Sequence, residues 1–252
     1  MSLIKTSNDL KNIRLAGKIL AGVIQDAYDA CEIGMSAKEL DARIHQAILA
    51  AGCTPAFLGY EGFPAASCLS VNDQVVHGIP NDRRFKEGDM VGIDVGLWYE
   101  GVCVDSAATK FLGTPSADQA RLMAVTKEAL REGVKAAKPY RRVGSISAAV
   151  QAVADREGLG IVRALTGHGV GHHLHESPDV PNYGRIGDGA LLKPGMVIAI
   201  EPMFTLGGAE VETQVDGWGI VTSDGSFAAH FEHTVIITAK GAEIVTKSLA
   251  NP

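Results

Sequence analysis

Apolar residues recur at helical spacing in four stretches of the chain. Over residues 8–31, Leu10, Ile13, Ala16, Gly17, Leu20 and Ile24 fall on one face, the period of an amphipathic helix. Ser36-Ala-Lys-Glu39 sets a Ser three residues before a Glu, which is a capping box. It opens a second helix through Leu40, Ile44, Ala47 and Ile48 that Gly52 stops. Ser116-Ala-Asp-Gln119 opens a third helix, to about Ala137 before Pro139, and a fourth spans residues 147–156 and ends at Gly158. The β-rich runs 66–71, 90–97, 102–112, 161–165, 196–200, 217–222 and 230–238 read as strands.

The order is helix, helix, strands, and then the same again, with the join near Gly113-Thr-Pro115. The halves share little residue identity, and no linker or low-complexity segment separates them. This predicts one α+β domain over residues 1–252, with halves of about 1–113 and 114–252. Each half would pack two helices on antiparallel strands, with no extension or insertion domain.

Composition narrows the class. Hydrophobic residues are 46% and charged residues 21% of 252, an ordinary globular balance. Lys plus Arg number 23 against 29 Asp plus Glu, a net charge of -6. An acidic excess without a basic block argues against nucleic acid or an anionic membrane as partner. Lys18 interrupts the best apolar stretch, residues 15–24, well short of the roughly 20 residues that span a bilayer. Cys31, Cys53, Cys68 and Cys103 form no CxxC pair and read as reduced thiols of a cytoplasmic protein. Glycine is in surplus, with 29 residues.

The chemistry begins in residues 90–105. With Tyr99-Glu100 as the turn of a hairpin, Asp94 and Asp105 stand directly opposite each other, flanked by Ile93, Val95 and Val104. Facing carboxylates in apolar surroundings repel, unless a shared proton or a cation offsets them. The alternative is a one-residue slip that turns one Asp to solvent.

Thr166-Gly-His168-Gly-Val-Gly171-His-His-Leu-His175 carries four histidines among glycines that allow close crowding. Such clusters occur at metal and catalytic sites, and in solvated loops as well. His172 and His173 are adjacent and point apart, so at most one joins His168 and His175. Glu201 ends the apolar run 196–200, and Glu232 begins another at 231–237. A carboxylate in a β-core run is costly unless it is paired or ligating. Four carboxylates carry -4, matching two divalent ions. With a single imidazole the set suits Mn, Fe(II), Co or a hydrolytic Zn pair, and two such ions activate water and polarise a carbonyl.

These stretches resemble a known family. Val71-Asn-Asp-Gln-Val-Val-His77-Gly-Ile-Pro80, Ile93-Asp94-Val, Val104-Asp105-Ser, Thr166-Gly-His168-Gly-Val-Gly171, Leu174-His175-Glu176, Ile200-Glu201-Pro202-Met203 and Phe231-Glu232-His233-Thr234 occur in that order. The chain is similar to type I methionine aminopeptidases of the pita-bread metallopeptidase fold, over nearly its whole length. The resemblance implies Asp94, Asp105, His168, Glu201 and Glu232 as ligands of two divalent ions (Co, Mn, Fe(II) or Zn), with Asp105 and Glu232 bridging. It implies that Glu201 handles the proton of the attacking, metal-bridged water. It gives His175 the tetrahedral intermediate or the peptide, and His77 the substrate or leaving amine; residue chemistry alone had no argument for His77.

By position, the methionine pocket would use Phe57, Tyr60, Phe63, Cys68, Leu174 and Trp218 together with His77 and His175. Phe57 stands where a Cys is frequent, Leu174 where a Phe is frequent, and Val104-Asp105-Ser106 replaces the usual Gly-Asp-Thr, so pocket shape is open while the metal chemistry is not. The short step from Glu201 to Glu232 leaves no room for the helical insertion of type II enzymes. The first helix starts within ten residues of Met1, so no zinc-finger or basic extension is expected before it. The implied activity is removal of the initiator methionine from nascent chains with a small second residue, by a cytoplasmic monomer. Contact with the ribosome through the domain itself stays open. The competing readings are an Xaa-Pro aminopeptidase or prolidase of the same fold, and a metal-free peptide-binding scaffold.

Overall fold

The computed structural model describes residues 3–252. Helices α1 (Ser7–Ala30) and α2 (Ala37–Ala50) lead into β1 (Thr54–Pro55), a short 3-10 turn at Tyr60–Gly62, β2 (Cys68–Val71), β3 (Gln74–Val76), β4 (Met90–Tyr99) and β5 (Val102–Phe111). The order then repeats with α3 (Ala117–Ala136) and α4 (Gly144–Glu157). After them come β6 (Gly160–Ile161), β7 (Thr166–Gly169), β8 (Glu176–Pro181), β9 (Val197–Ile200), β10 (Met203–Thr205), β11 (Val211–Thr213), β12 (Ile220–Thr222), β13 (Ala228–His230), β14 (Glu232–Thr238) and β15 (Gly241–Ile244).

Both capping boxes form. Ser36 Oγ accepts from Glu39 N–H while Glu39 Oε2 accepts from Ser36 N–H, and Ser116 with Gln119 does the same. A third box, Thr6 with Asp9, starts α1; its Asp at the third position departs from the Glu/Gln pattern that marks such sites in sequence. Helix α4 begins at Gly144, three residues before the predicted start at Ser147. Its first N–H groups are satisfied by tertiary bonds instead of a cap, Val143 N–H to the Ala190 carbonyl and Gly144 N–H to the Asp188 carbonyl, each 2.9 Å. That device leaves no local signature.

Seven strands run in the order β1-β4-β5-β14-β9-β7-β8, with β2 added on β4 and β15 on β14, in one nine-stranded sheet. The two halves meet where β5 pairs with β14, Ala107 opposite Glu232 and Ser106 opposite His233. Helix α1 lays Ile13, Leu20, Ile24 and Ala27, all buried, over β4 and β5, and a single main hydrophobic cluster draws on both halves. Among the described residues no helix is long and apolar enough to cross a membrane.

The hairpin register differs from the sequence expectation. Tyr99 pairs with Val102, so the turn is Glu100-Gly101 and Asp94 faces Ala107, not Asp105. Glu100 and Gly101 have φ of +46° and +79°, the doubly left-handed turn whose twist matches antiparallel strands and which places glycine at its second position. The shift is two residues, so both aspartates keep one face of the sheet, and a one-residue slip is excluded. The predicted strand 217–222 shortens to Ile220–Thr222, because Asp216 Oδ1 accepts from the N–H groups of Trp218 and Gly219, both at 2.9 Å, and closes a turn. The run 161–165 is likewise reduced to Gly160–Ile161.

Candidate metal centre and peptide cleft

Read across four strands, Cys68, Asp94, Ala107 and Glu232 stand in register. One pleat further along, Gly96 lies opposite Asp105. Residues in register share a face of the sheet, so three carboxylates surround the methyl group of Ala107. A Cβ at Gly96 would stand 2.8 Å from Phe57 Cε1 and 3.4 Å from Asp105 Oδ1.

The second half closes the centre from the other side. Strand β7 places His168, and Glu201 follows β9 directly, with His168 Nε2 3.4 Å from Glu201 Oε1. His168 Nδ1 donates to the Gly169 carbonyl at 2.8 Å, which leaves the Nε2 lone pair free to ligate. Donor atoms of Asp105, His168 and Glu232 lie within 4.8 Å of one another. Backbone bonds fix the frame: Thr234 Oγ1 accepts from Asp105 N–H and donates to the Asp105 carbonyl, while Asn251 Nδ2 spans the carbonyls of Ala107 and Glu232.

Burial and mutual repulsion raise Asp94, Glu201 and Glu232 well above the usual carboxylate range. Burial raises Asp105 to about 7, against hydrogen bonds from Ser106 and Asp94 that lower it. Burial, then the nearby His175, pushes His168 down to about 4. Asp94 Oδ1, Asp105 Oδ1 and Glu232 Oε1 are buried without a hydrogen-bond partner. Hard oxygen donors in this state, with an imidazole lone pair beside them, have the chemistry of a divalent-cation site.

Every residue proposed from the sequence as a metal ligand or pocket residue lines one cavity of about 130 Å³. The charged and imidazole lining is Asp94, Asp105, His168, Glu201, Glu232, His77 and His175, and Phe57, Tyr60, Phe63, Cys68, Leu174 and Trp218 line it with rings, aliphatic carbon and sulfur. Phe63 and Trp218 meet edge to face at 5.1 Å between ring centres. The volume is far below the roughly 300–1,000 Å³ of a drug-sized cleft and suits one side chain. A second, more open cleft of about 430 Å³ adjoins it and shares Val76, His77, His168, His175 and Glu201.

His77 has φ +58°, a conformation that costs energy in a non-glycine residue and concentrates at functional sites. Tyr60 Oη lies 2.9 Å from His175 Nδ1, a contact more specific than pocket lining. His172 and His173 do not line the cavity: both backbone N–H groups donate to Glu176 Oε1, and His172 Nε2 sits 3.2 Å from Asp9 Oδ2. The glycines flanking His168 serve neighbouring strands, not a ligand. A Cβ on Gly167 would stand 2.6 Å from the Ala199 carbonyl oxygen, and one on Gly169 2.2 Å from that of Ser177.

Sequence reasoning missed His230. Its ring is buried and its Nε2 lies 3.6 Å from Glu201 Oε2 and 4.0 Å from Glu232 Oε2, with no hydrogen bond. Burial, then His77 and His168, holds it down to about 3. Its place in Ala228-Ala-His230 gives no periodic or motif signal; only its position two residues before Glu232 could have flagged it.

Residues 11–239 match metallopeptidase family M24. The chain belongs to that family. It is 44% identical to methionine aminopeptidase 1 of Bacillus subtilis, covering 98% of this chain and all of that protein. It is 43% identical to a methionine aminopeptidase of Treponema pallidum, covering 98% and 97%. The crystal structure of a Thermotoga maritima methionine aminopeptidase superimposes with a TM-score of 0.95 at 41% identity, over 97% of this chain and 98% of the other. A prolidase from Pyrococcus furiosus superimposes with a TM-score of 0.81 at 27% identity, over 97% of this chain and 65% of the prolidase. The M24 fold of both neighbours is the pita-bread fold expected from the sequence.

Proposed function

We propose that this chain is a single-domain methionyl aminopeptidase that removes the initiator methionine from nascent chains with a small second residue. The observation that carries the reading is the junction of two spaces. A side-chain-sized apolar pocket and an open cleft meet at His77, His168, His175 and Glu201. One terminal side chain enters the pocket, the remainder of the peptide leaves through the cleft, and the bond between them lies over the carboxylates. A flexible thioether fits walls of sulfur and aromatic rings such as Cys68, Phe63 and Trp218.

Asp94, Asp105, His168, Glu201 and Glu232 would hold two divalent ions, Mn, Co, Fe(II) or Zn. When bound, the ions supply Lewis acidity to the scissile carbonyl and lower the pKa of water. The remaining work falls to the chain. The Glu201 carboxylate takes the proton of the attacking water and passes it towards the leaving amine. Burial raises the Tyr60 phenol above its usual range, so its hydroxyl keeps the proton and donates to His175 Nδ1. His175 then presents Nε2–H to the carbonyl oxygen as charge develops there. His77 contacts the substrate backbone from the cavity lining. The reading places the enzyme in the cytoplasm as a monomer acting on emerging chain ends.

The test compares Met-Ala-Ser with Ala-Pro peptides, with Mn or Co added, for wild type and Asp105→Ala. Methionine release from the first peptide alone, abolished in the variant and by EDTA, is expected. Turnover of Xaa-Pro peptides without turnover of Met-Ala-Ser would favour a prolidase-like activity and overturn the reading. Absence of both activities and of bound metal would favour a scaffold.

A further inference from the structure

The Glu201 carboxylate is bracketed by two imidazoles, one at each oxygen. His168 Nε2 approaches Oε1 at 3.4 Å, and His230 Nε2 approaches Oε2 at 3.6 Å. The two rings differ in what they can see. His168 lines the cavity and belongs to the cluster of converging donor atoms, whereas His230 does neither. It stands at the end of β13, with the carboxylates of Glu201 and Glu232 beside its ring.

The backbone of His230 is held tightly for a residue with no partner at its ring tip. Thr109 Oγ1 donates to the His230 carbonyl at 2.8 Å and accepts from its N–H at 3.0 Å. Met203, two residues after Glu201, pairs with His230 across β10 and β13. The chain on both sides of the Glu201–His230 contact is therefore fixed, and a rotation of the Glu201 side chain of under about 1 Å brings the pair into hydrogen-bond range. A buried imidazole nitrogen left unpaired costs free energy, and Glu201 and Glu232 are the carboxylates beside it.

We infer that His230 is a positioning residue for Glu201: its Nε2–H donates to Glu201 Oε2, orienting the carboxylate so that Oε1 faces the reacting water beside His168. The ring does not bind an ion. This inference rests on the proposed role of Glu201 and names what holds that group in place. An outer partner of a metal-site carboxylate typically changes activity or affinity by 10–100-fold when removed.

The experiment uses the full chain, with His230→Leu, His230→Gln, Glu201→Gln and the His230→Leu/Glu201→Gln double variant. Three quantities are read: kcat and KM on Met-Ala-Ser, the number of Mn2+ ions bound by ion-free protein in calorimetric titration, and the unfolding midpoint. His230→Leu is expected to lower kcat about 10–100-fold, with KM within about twofold and two Mn2+ ions still bound. His230→Gln, which retains an N–H donor, recovers most of kcat. The double variant is no slower than Glu201→Gln alone, as groups acting through one another are not additive.

Unchanged kcat in a folded His230→Leu overturns the inference. Loss of one Mn2+ ion in both His230 variants, without rescue by Gln, overturns it in favour of a ligand role. A fully active Glu201→Gln overturns the proposed role of Glu201, and this inference with it. An additive double variant overturns the inference while leaving the role of Glu201 intact.

Discussion

Lys5 and Glu176, 171 residues apart in the chain, meet at 2.5 Å in an ion pair whose side chains are only 1% and 11% exposed. Burial would raise Glu176, but the bonds from Lys5 and from the N–H groups of His173 and His172 outweigh it and lower the carboxyl below its ordinary value. The pair ties the first residues of the chain to the segment that presents His175. Breaking a buried pair from one side leaves an uncompensated charge, at a cost of about 3 kcal/mol or more. Lys5→Met should lower the denaturant midpoint accordingly and reduce kcat as His175 loses its anchor. An unchanged midpoint would show that the pair contributes nothing.

In the proposed mechanism Tyr60 donates to His175 Nδ1 and so sets the tautomer of the histidine. Tyr60→Phe removes the donor at Nδ1 while leaving the ring in the pocket wall. We expect kcat on Met-Ala-Ser to fall about tenfold with KM little altered, the pattern of an interaction made in the transition state. A rise in KM at constant kcat would reassign Tyr60 to substrate binding alone.

Ala107 stands opposite Asp94 on one side and Glu232 on the other. Ala107→Leu would drive a branched side chain between Asp94, Asp105 and Glu232, costing about 1–3 kcal/mol in overpacking and blocking Mn2+ uptake. Titration calorimetry on the folded variant should show no high-affinity ion. Ordinary Mn2+ binding by Ala107→Leu would mean that the ion does not sit beside Ala107.

Ion-free protein should lose stability above about pH 6.5. The buried histidines, with His168 at about 4 and both His230 and His233 at about 3, take up protons on unfolding. They make stability rise with pH, but only up to the ordinary histidine value of about 6.5. The carboxylates act in the opposite sense. Asp105, at about 7, holds a proton when folded and releases it when unfolded above about pH 4, and Asp94, Glu201 and Glu232, raised well above the usual carboxylate range, act in the same sense. Between pH 6.5 and about 7 the carboxylates act alone. Calorimetry in EDTA should show a melting temperature that declines over this range, and Mn2+ should remove the decline by taking the place of the protons. A flat or rising profile in EDTA would contradict the raised carboxylates.

Local signals carried much of the fold. Helices α2 and α3 begin where Ser36 and Ser116 place them, because a capping box satisfies its own N–H groups within four residues. Helix α4 escaped at its start, since distant carbonyls after Arg185 satisfy the Val143 and Gly144 N–H groups. The five proposed metal-ligand residues stood out in combination, because four acids in apolar β-runs and a histidine among glycines are together hard to explain as isolated surface pairs. The Asp94–Asp105 register was misjudged by two residues, as the choice between Tyr99-Glu100 and Glu100-Gly101 depends on which residues accept positive φ. Ala107, His230 and the Lys5–Glu176 pair stayed hidden for a different reason. An alanine, a histidine and a lysine are unremarkable in composition, and their importance comes from what the sheet sets beside them.

The seam between β5 and β14 has a further consequence. Asp94 and Asp105 precede Gly113, while His168, Glu201 and Glu232 follow it, so no fragment confined to one side contains the whole donor set. Cation occupancy is thus a readout of assembly as well as of chemistry: a chain whose halves have not joined has nothing with which to capture the ions. Stabilisation by bound ion, which grows with the logarithm of its concentration over Kd, then falls on the joint and not on either half. Parting of the halves would therefore release any bound ion, whereas release of the ion need not part halves that share one hydrophobic cluster.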